Sequence, residues 1–167
     1  VDDVKWLIAR EIPHLRRYAL ALVGDADEAD DVLQDCLERA LRKRSLWRRE
    51  GSIKSWLFKI LYNVHIGRLR RRRPSVSIDA ENMEFAAPAA QESRIHCQNI
   101  AMALAALPVE QRAAILLVTL EGMSYDTAAD ILDVPVGTVR SRLSRGRDAL
   151  RTMGIGQESR VRLQRLK

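Results

Sequence analysis

The stretch PVGTVRSRLSRGR, residues 135–147, holds four arginines, two glycines and a proline inside a run with helical periodicity. On a helical wheel of 100° per residue, Val136, Val139, Leu143 and Leu150 form one stripe, with Gly146 beside it. The opposite arc carries Gly137, Thr138, Arg140, Ser141, Ser144 and Arg145, with Arg142 and Arg147 at its margins, and no carboxylate occurs before Asp148. A solvated helix ordinarily mixes both charge signs to gain i,i+4 pairs, and this one does not. Guanidinium groups and short hydroxyls on one arc suit phosphates and the edges of bases, to which arginine donates in bidentate fashion. Gly137 costs a helix up to about 1 kcal/mol relative to alanine, but a bare first turn can approach a nucleic-acid backbone closely. The plainer alternative is a charged, solvated surface.

Two further groups of residues could bind anions or cations. Lys59, Arg68 and the run Arg70, Arg71, Arg72 and Arg73, with the loop RKRSLWRREGS upstream, form a basic patch. Arginine runs hold phosphates without reading sequence. Here Trp47, Trp56 and Asn63 lie near them in sequence, and aromatics and amides beside cations suit unstacked single-stranded bases. A solubilising face, with Trp56 in the core, is the alternative. The segment 27–44 places Asp27, Asp30, Asp31, Gln34, Asp35 and Glu38 on one polar face. On a basic protein such a face would repel DNA and calls instead for a basic protein partner. A plain solvated face is one alternative, and a Mg²⁺ site built on Asp30, Asp31 and Asp35, and with it a nuclease, is the enzyme alternative. It lacks an orienting histidine and a second acidic element.

These groups must be positioned by helices. The chain of 167 residues carries 28 Lys and Arg against 22 Asp and Glu, a formal net charge of +6, and 5% aromatics. Ala, Leu and Arg abundance predicts an all-α fold. Residues 1–11 predict a short amphipathic helix, and IPHLRRYALALVG a second one restarting at Pro13, a residue tolerated at a first helical position. Asp25 followed by Glu28 is a capping box. The apolar residues Ala29, Val32, Leu33, Cys36, Leu37, Ala40 and Leu41 then mark one helix face, with Cys36 as a small core residue. A helix is predicted over 53–72, with Ile53, Leu57, Ile60, Leu61 and Val64 inward, stopping before Pro74. Residues 74–91 contain prolines and acids but no basic residue, as a linker would. Helices follow over 92–106, from Pro108 to a left-handed stop at Gly122, over 124–132 and over 135–151. The last two, so closely joined, have the spacing of a helix-turn-helix. The layout is two small helical domains, 1–73 and 92–153, with a linker at 74–91 and a basic tail at 154–167.

Several classes are not indicated. No Gly-rich phosphate loop, nucleophile elbow or metal-ligand spacing is present, so no catalytic residue, metal or cofactor is assigned. Cys36 and Cys97 are far apart, and His96 beside Cys97 points elsewhere on a helix, which fits a reduced cytoplasmic protein. No apolar run approaches the ~20 residues that would span a membrane.

These residues together resemble a bacterial RNA polymerase sigma factor of the extracytoplasmic-function type. DEADDVLQDCLERAL (27–41) is similar to region 2.1–2.2 of that family, SWLFKILYNVHIGRLRRRR (55–73) to regions 2.3–2.4, and the segment 107–151 to region 4. DVLQDCLERAL and LEGMSY further resemble the general-stress branch, which implies a stress response. The resemblance implies a sigma region 2-like domain and a region 4-like helix-turn-helix domain on a flexible linker. It implies core-polymerase binding, on the β′ clamp helices through Asp30, Asp31, Gln34, Asp35 and Glu38, and on the β flap. It implies capture of a flipped −10 base by Trp47 and Asn63, with Arg68, Arg70, Arg71 and Arg72 on the backbone. Arg140, Ser141 and Arg145, aided by Thr138, Arg142 and Arg147, would read the −35 element. Promoter DNA and an anti-sigma factor are the other implied partners, and the free protein is expected to be a monomer. The sequence departs from the family in three places: Gly67 replaces a frequent Asp four residues after Asn63, Asp133 replaces a frequent Gly in the turn, and Gly146 replaces a frequent Ala. A sigma-like decoy, which sequesters an anti-sigma factor without binding promoters, is the alternative.

Overall fold

The computed structural model describes residues 2–47, 51–72 and 91–155. Those residues form helices and turns and no strand. The predicted linker, apart from its last residue Gln91, and the tail beyond Ile155 lie outside the described residues, as do Arg48, Arg49 and Arg73.

Helix α1 spans Asp2–Val23 without interruption, with Pro13 inside it. The expected break at Pro13 is therefore corrected. Proline removes one intrahelical hydrogen bond but its fixed φ is helical. Ile8, Leu15, Tyr18, Ala19 and Leu22, on both sides of Pro13, share one fully buried stripe. Burying that stripe outweighs one lost bond.

Helix α2 (Ala26–Arg42) opens as predicted: Asp25 is its N-cap, and its carboxylate accepts from the backbone N–H of Glu28 at 2.8 Å. The return half of the box is absent, because Glu28 Oε2 instead accepts from Arg72 at 2.8 Å. Ala29, Val32, Leu33, Cys36 and Ala40 are buried, as the periodicity requires, whereas Leu41 is exposed. A 3₁₀ turn, Arg44–Leu46, leads to Trp47. Helix α3 (Ile53–Arg71) is covered on more than the predicted face: Phe58, Tyr62 and His65 are buried beside Leu57, Leu61 and Val64. The ring of Phe58 packs on Tyr18 at a centroid distance of 5.0 Å.

The second half begins with α4 (Gln91–Ala105) and α5 (Val109–Ile115), the latter with Pro108 as N-cap. The predicted helix up to residue 121 does not stay α-helical. It widens into a π turn over Leu116–Leu120, where the N–H of Glu121 reaches back to Leu116 O at 3.1 Å. Thr119 Oγ1 donates to Ile115 O at 2.6 Å within this turn. The extra residue per turn re-phases the segment, and Glu121 at its end is buried. Gly122 then stops it in left-handed geometry (φ +66°), as expected.

Helices α6 (Tyr125–Leu132) and α7 (Val136–Thr152) are joined by three residues. Asp133 occupies the turn at φ 55°, ψ 49°, a conformation that Asp visits more readily than most residues. At Gly146 the helices approach closely: a Cβ there would lie 2.5 Å from Ile115 Cδ1, the tip of a side chain that would have to shift. Its bare backbone lets α7 close onto α5. The two halves are in contact, and one hydrophobic cluster runs from Leu15 and Phe58 through Leu117 to Leu143. The extra coverage of α3 comes from α6 and its neighbours packing along it.

Candidate nucleic-acid interface

Helix α7 lies on the second half with Val139, Leu143 and Gly146 buried. Gly137, Arg140, Ser144 and Arg145 are exposed, and Thr138, Ser141, Arg142 and Arg147 are half-buried at the edges. The wheel expects this for Arg140, Ser144, Arg145 and the marginal Arg142 and Arg147, but not for Thr138 and Ser141, which it placed on the open arc and which are half-buried. A side chain at Gly137 would meet nothing within 4 Å, so no intramolecular packing demands a glycine in that first turn. Ser141 Oγ donates to Thr138 O at 3.0 Å, which occupies its proton within the helix and leaves its lone pairs outward. Among the described residues no carboxylate pairs with Arg140, Arg142, Arg145 or Arg147; Asp148 pairs with Arg151 instead. Ser124 caps α6 by accepting from the N–H of Thr127 at 3.1 Å, fixing the helix that supports α7.

The first half handles its charges differently. Arg68 donates through Nε and Nη2 to Asp35 Oδ2 at 3.1 and 2.9 Å, and its Nη1 lies 3.8 Å from Asp31. Arg72 pairs with Glu28, Arg16 with Asp30 at 3.2 Å, and Arg42 with Glu38 at 3.2 Å. Gln34 donates to Glu38 at 3.3 Å. The predicted acidic face of α2 and the predicted basic end of α3 thus meet, and the side chains assigned to two different partners neutralise each other. Asn63, Arg70 and Arg71 remain exposed, and Trp47 is half-buried with its indole N–H enclosed and without a partner among the described residues. A Cβ at Gly67 would meet only the tip of Arg71 at 4.0 Å, so the missing family Asp leaves open space rather than a filled site. Among the described residues no three His, Cys, Asp or Glu side chains converge to hold a metal ion. Cys36 is a core thiol; its Sγ–H points at Leu57 O (3.6 Å) and burial pushes its pKa up to about 12.

Sequence reading missed the charged residues at the seam between the halves. Glu121, whose side chain is fully enclosed, accepts from Arg17 Nη2 at 2.8 Å and lies 3.1 Å from Lys54 Nζ and 3.5 Å from His14 Nδ1. Arg112 donates to Leu104, Ala105 and Leu107 carbonyls at 2.7–2.9 Å and, across the seam, to Leu22 O at 2.6 Å. Their only sequence signal is a charge set against an apolar run: Arg112 before AAILL, and Glu121 alone in LLVTLEG. His65 is buried on the same side of α3. Burial first, then the charges of Arg112, Arg72 and Arg68, lower its pKa from 6.5 to about 4.

Comparison with known proteins follows the same division. Residues 8–62 match the family model described as the Sigma2 domain of PhyR, and residues 97–150 match Sigma-70, region 4. The chain is 36% identical over 152 residues to the ECF RNA polymerase sigma factor EcfG of Rhodopseudomonas palustris, covering 89% of this chain and 83% of that one. It is also 36% identical to the ECF sigma factor SigM of Mycobacterium tuberculosis, covering 86% and 73%. Among solved structures it is similar to the sigma factor RpoE of Bartonella quintana in complex with the anti-sigma factor NepR, with TM-score 0.77, 30% identity and coverage of 94% and 99%. A match to PhyR bound to NepR, at 17% identity over 48% of that chain and TM-score 0.62, shows shared fold alone. With one curated relative matched along most of both chains and the region 2 and region 4 models falling in order on the two helical halves, this chain belongs to the extracytoplasmic-function (ECF) RNA polymerase sigma factors.

Proposed function

We propose that this protein is a promoter-recognising sigma factor that joins core RNA polymerase, directs it to a two-part promoter, and is held in check by an anti-sigma factor. The observation that carries this reading is α7, whose exposed cationic arc has no carboxylate partner among the described residues, seated on a capped helix-turn-helix. Arg140 and Arg145 read base edges of the −35 element there, and Arg142 and Arg147 hold phosphates. Ser141 contributes acceptor lone pairs. In the first half, exposed Asn63 and half-buried Trp47 hold a −10 base, with Arg68, Arg70, Arg71 and Arg72 along the backbone. Asp30, Asp31, Gln34, Asp35 and Glu38 dock on the polymerase β′ clamp helices, and the second half on the β flap. Similarity to RpoE in its complex with the anti-sigma factor NepR supports an anti-sigma partner. The role is one of binding rather than catalysis, in the compartment that holds the polymerase; no helix among the described residues is long and apolar enough to cross a membrane.

The decoy reading is not favoured, because a decoy has no use for an unpaired base-reading arc and the well-covered relatives are sigma factors. Run-off transcription with core polymerase on a promoter library tests the proposal. Selective transcripts that require this protein are expected, and their loss in an Arg140→Ala, Arg145→Ala double variant. Polymerase binding without any selective transcript would overturn it in favour of the decoy.

A further inference from the structure

Two glycines lie inside helices with nothing among the described residues that calls for them. Gly24, Gly122 and Gly154 sit at positive φ, and Gly146 closes on Ile115. Gly67 and Gly137 instead lie within helices, on α3 and α7. A Cβ added at Gly137 would meet nothing within 4 Å, and one at Gly67 only Arg71 Nη2 at 4.0 Å. A glycine between helical neighbours weakens the helix relative to alanine. That penalty is small for Gly137, in the first turn of α7. It is larger for Gly67, a full turn inside the end of α3.

Gly67 stands midway between two polar side chains that are free to bind. Asn63 lies one turn before it and Arg71 one turn after, each about 6 Å away along the helix axis. Both are exposed, and among the described residues neither the Asn63 amide nor the Arg71 guanidinium has a hydrogen-bond or ion-pair partner. Arg68 and Arg72, next along the chain on either side, are held by Asp31, Asp35 and Glu28. The acids of α2 thus neutralise one flank of α3 and leave the line Asn63, Gly67, Arg71 open. Along that line an amide is followed by bare main chain and then by a cation. This order matches a strand that presents bases on one side and phosphates on the other. Without a Cβ, such a strand approaches the helix about one bond length, ~1.5 Å, more closely. A glycine also places no acid four residues before Arg71, where it would compete for the guanidinium.

We propose that Gly67 is a contact point for the sugar–phosphate backbone of the unpaired −10 strand. The strand packs against the bare turn of α3, with a phosphate on Arg71 and a base towards Asn63. The inference rests on the promoter-binding reading and adds to it a residue that has no side chain to bind with. Gly67 lowers the stability of α3 and raises the affinity of the face that it opens.

Holoenzyme assembled with core polymerase tests this on two fluorescent probes cut from a promoter selected by run-off transcription. One is a duplex carrying the −35 element alone; the other is a fork whose −10 non-template strand is unpaired. Gly67→Ala should raise the melting temperature of the free protein by about 2–4 °C. It should weaken fork binding about tenfold, the size of one lost charge-assisted contact, and leave binding to the −35 duplex unchanged. Unchanged fork affinity in a variant that melts higher overturns the proposal. Failure to melt higher does so too, since the glycine would then serve the fold, as does an equal loss on both probes. A second pair of variants isolates the phosphate. Gly67→Asp, whose carboxylate pairs with Arg71, should reduce the salt dependence of fork binding by about one phosphate contact relative to Gly67→Asn. Equal slopes take Arg71 off the phosphate and overturn the assignment. Selection of no promoter at all defeats the promoter-binding reading and this inference with it. A selected promoter whose fork is bound equally whatever stands at position 67 defeats this inference alone.

Discussion

Helices α3 and α7 both carry arginines towards solvent and treat them in different ways. On α3 the guanidiniums of Arg68 and Arg72 are tied to Asp35, Asp31 and Glu28, whereas on α7 Arg140 and Arg145 project from an arc with no acid among the described residues. A free cation meets a phosphate or a guanine at no cost beyond its own hydration. A paired cation must first give up a carboxylate, so its binding is conditional on what that carboxylate does next. If Asp31 and Asp35 engage a basic protein surface, Arg68 is released for a second partner. The difference therefore separates a site ready to bind from one whose readiness depends on a partner.

The largest test of this contrast lies at the seam, where the first half has buried a titratable imidazole near the guanidiniums of Arg112, Arg72 and Arg68. Unfolded, His65 takes up a proton near pH 6.5; folded, it refuses one until about pH 4. Its contribution to stability is full above pH 6.5 and falls as the pH drops from there towards 4, at about 1.4 kcal/mol per pH unit. Urea unfolding at pH 7 and pH 5 should show that loss, and His65→Gln should remove most of it. A wild-type stability unchanged across this range would mean that the seam accommodates a charged imidazole.

Next in size is the free arc. Arg140→Ala and Arg145→Ala should each weaken binding to the preferred −35 duplex by about 1–3 kcal/mol, with much smaller losses on random duplex. Equal losses on both would place these guanidiniums on phosphates and erase the distinction from Arg142 and Arg147.

The smallest effect concerns the paired face. Asp35→Asn should cost at most about 1 kcal/mol of folding stability, since both partners are partly exposed. It should also free Arg68, steepening the salt dependence of DNA binding by about one phosphate contact. An unaltered slope would show that Arg68 cannot reach DNA even when released.

Much of this was legible because it follows from local rules. The α2 cap at Asp25, the α2 and α7 stripes, the left-handed Gly122 and Asp133, and the marginal placing of Arg142 and Arg147 depend only on period and backbone preference. The errors share a cause as well. Pro13 was read as a break because a local rule cannot see the buried stripe that carries α1 through it. The π turn at Leu116–Leu120 and the close approach at Gly146 arise from packing between helices distant in sequence.

The sequence by itself determined the helical class, the two-part order, the helix-turn-helix and the side of α7 that carries its cations, because periodicity and turn chemistry act within a few residues. Only the tertiary structure decided that the acids of α2 neutralise the arginines of α3, that Glu121 and Arg112 cross a seam, and that α3 is covered on a second side. Those outcomes depend on which charges and apolar surfaces meet when segments about 30 to 100 residues apart pack together, and ion pairs and desolvation act through space rather than along the chain.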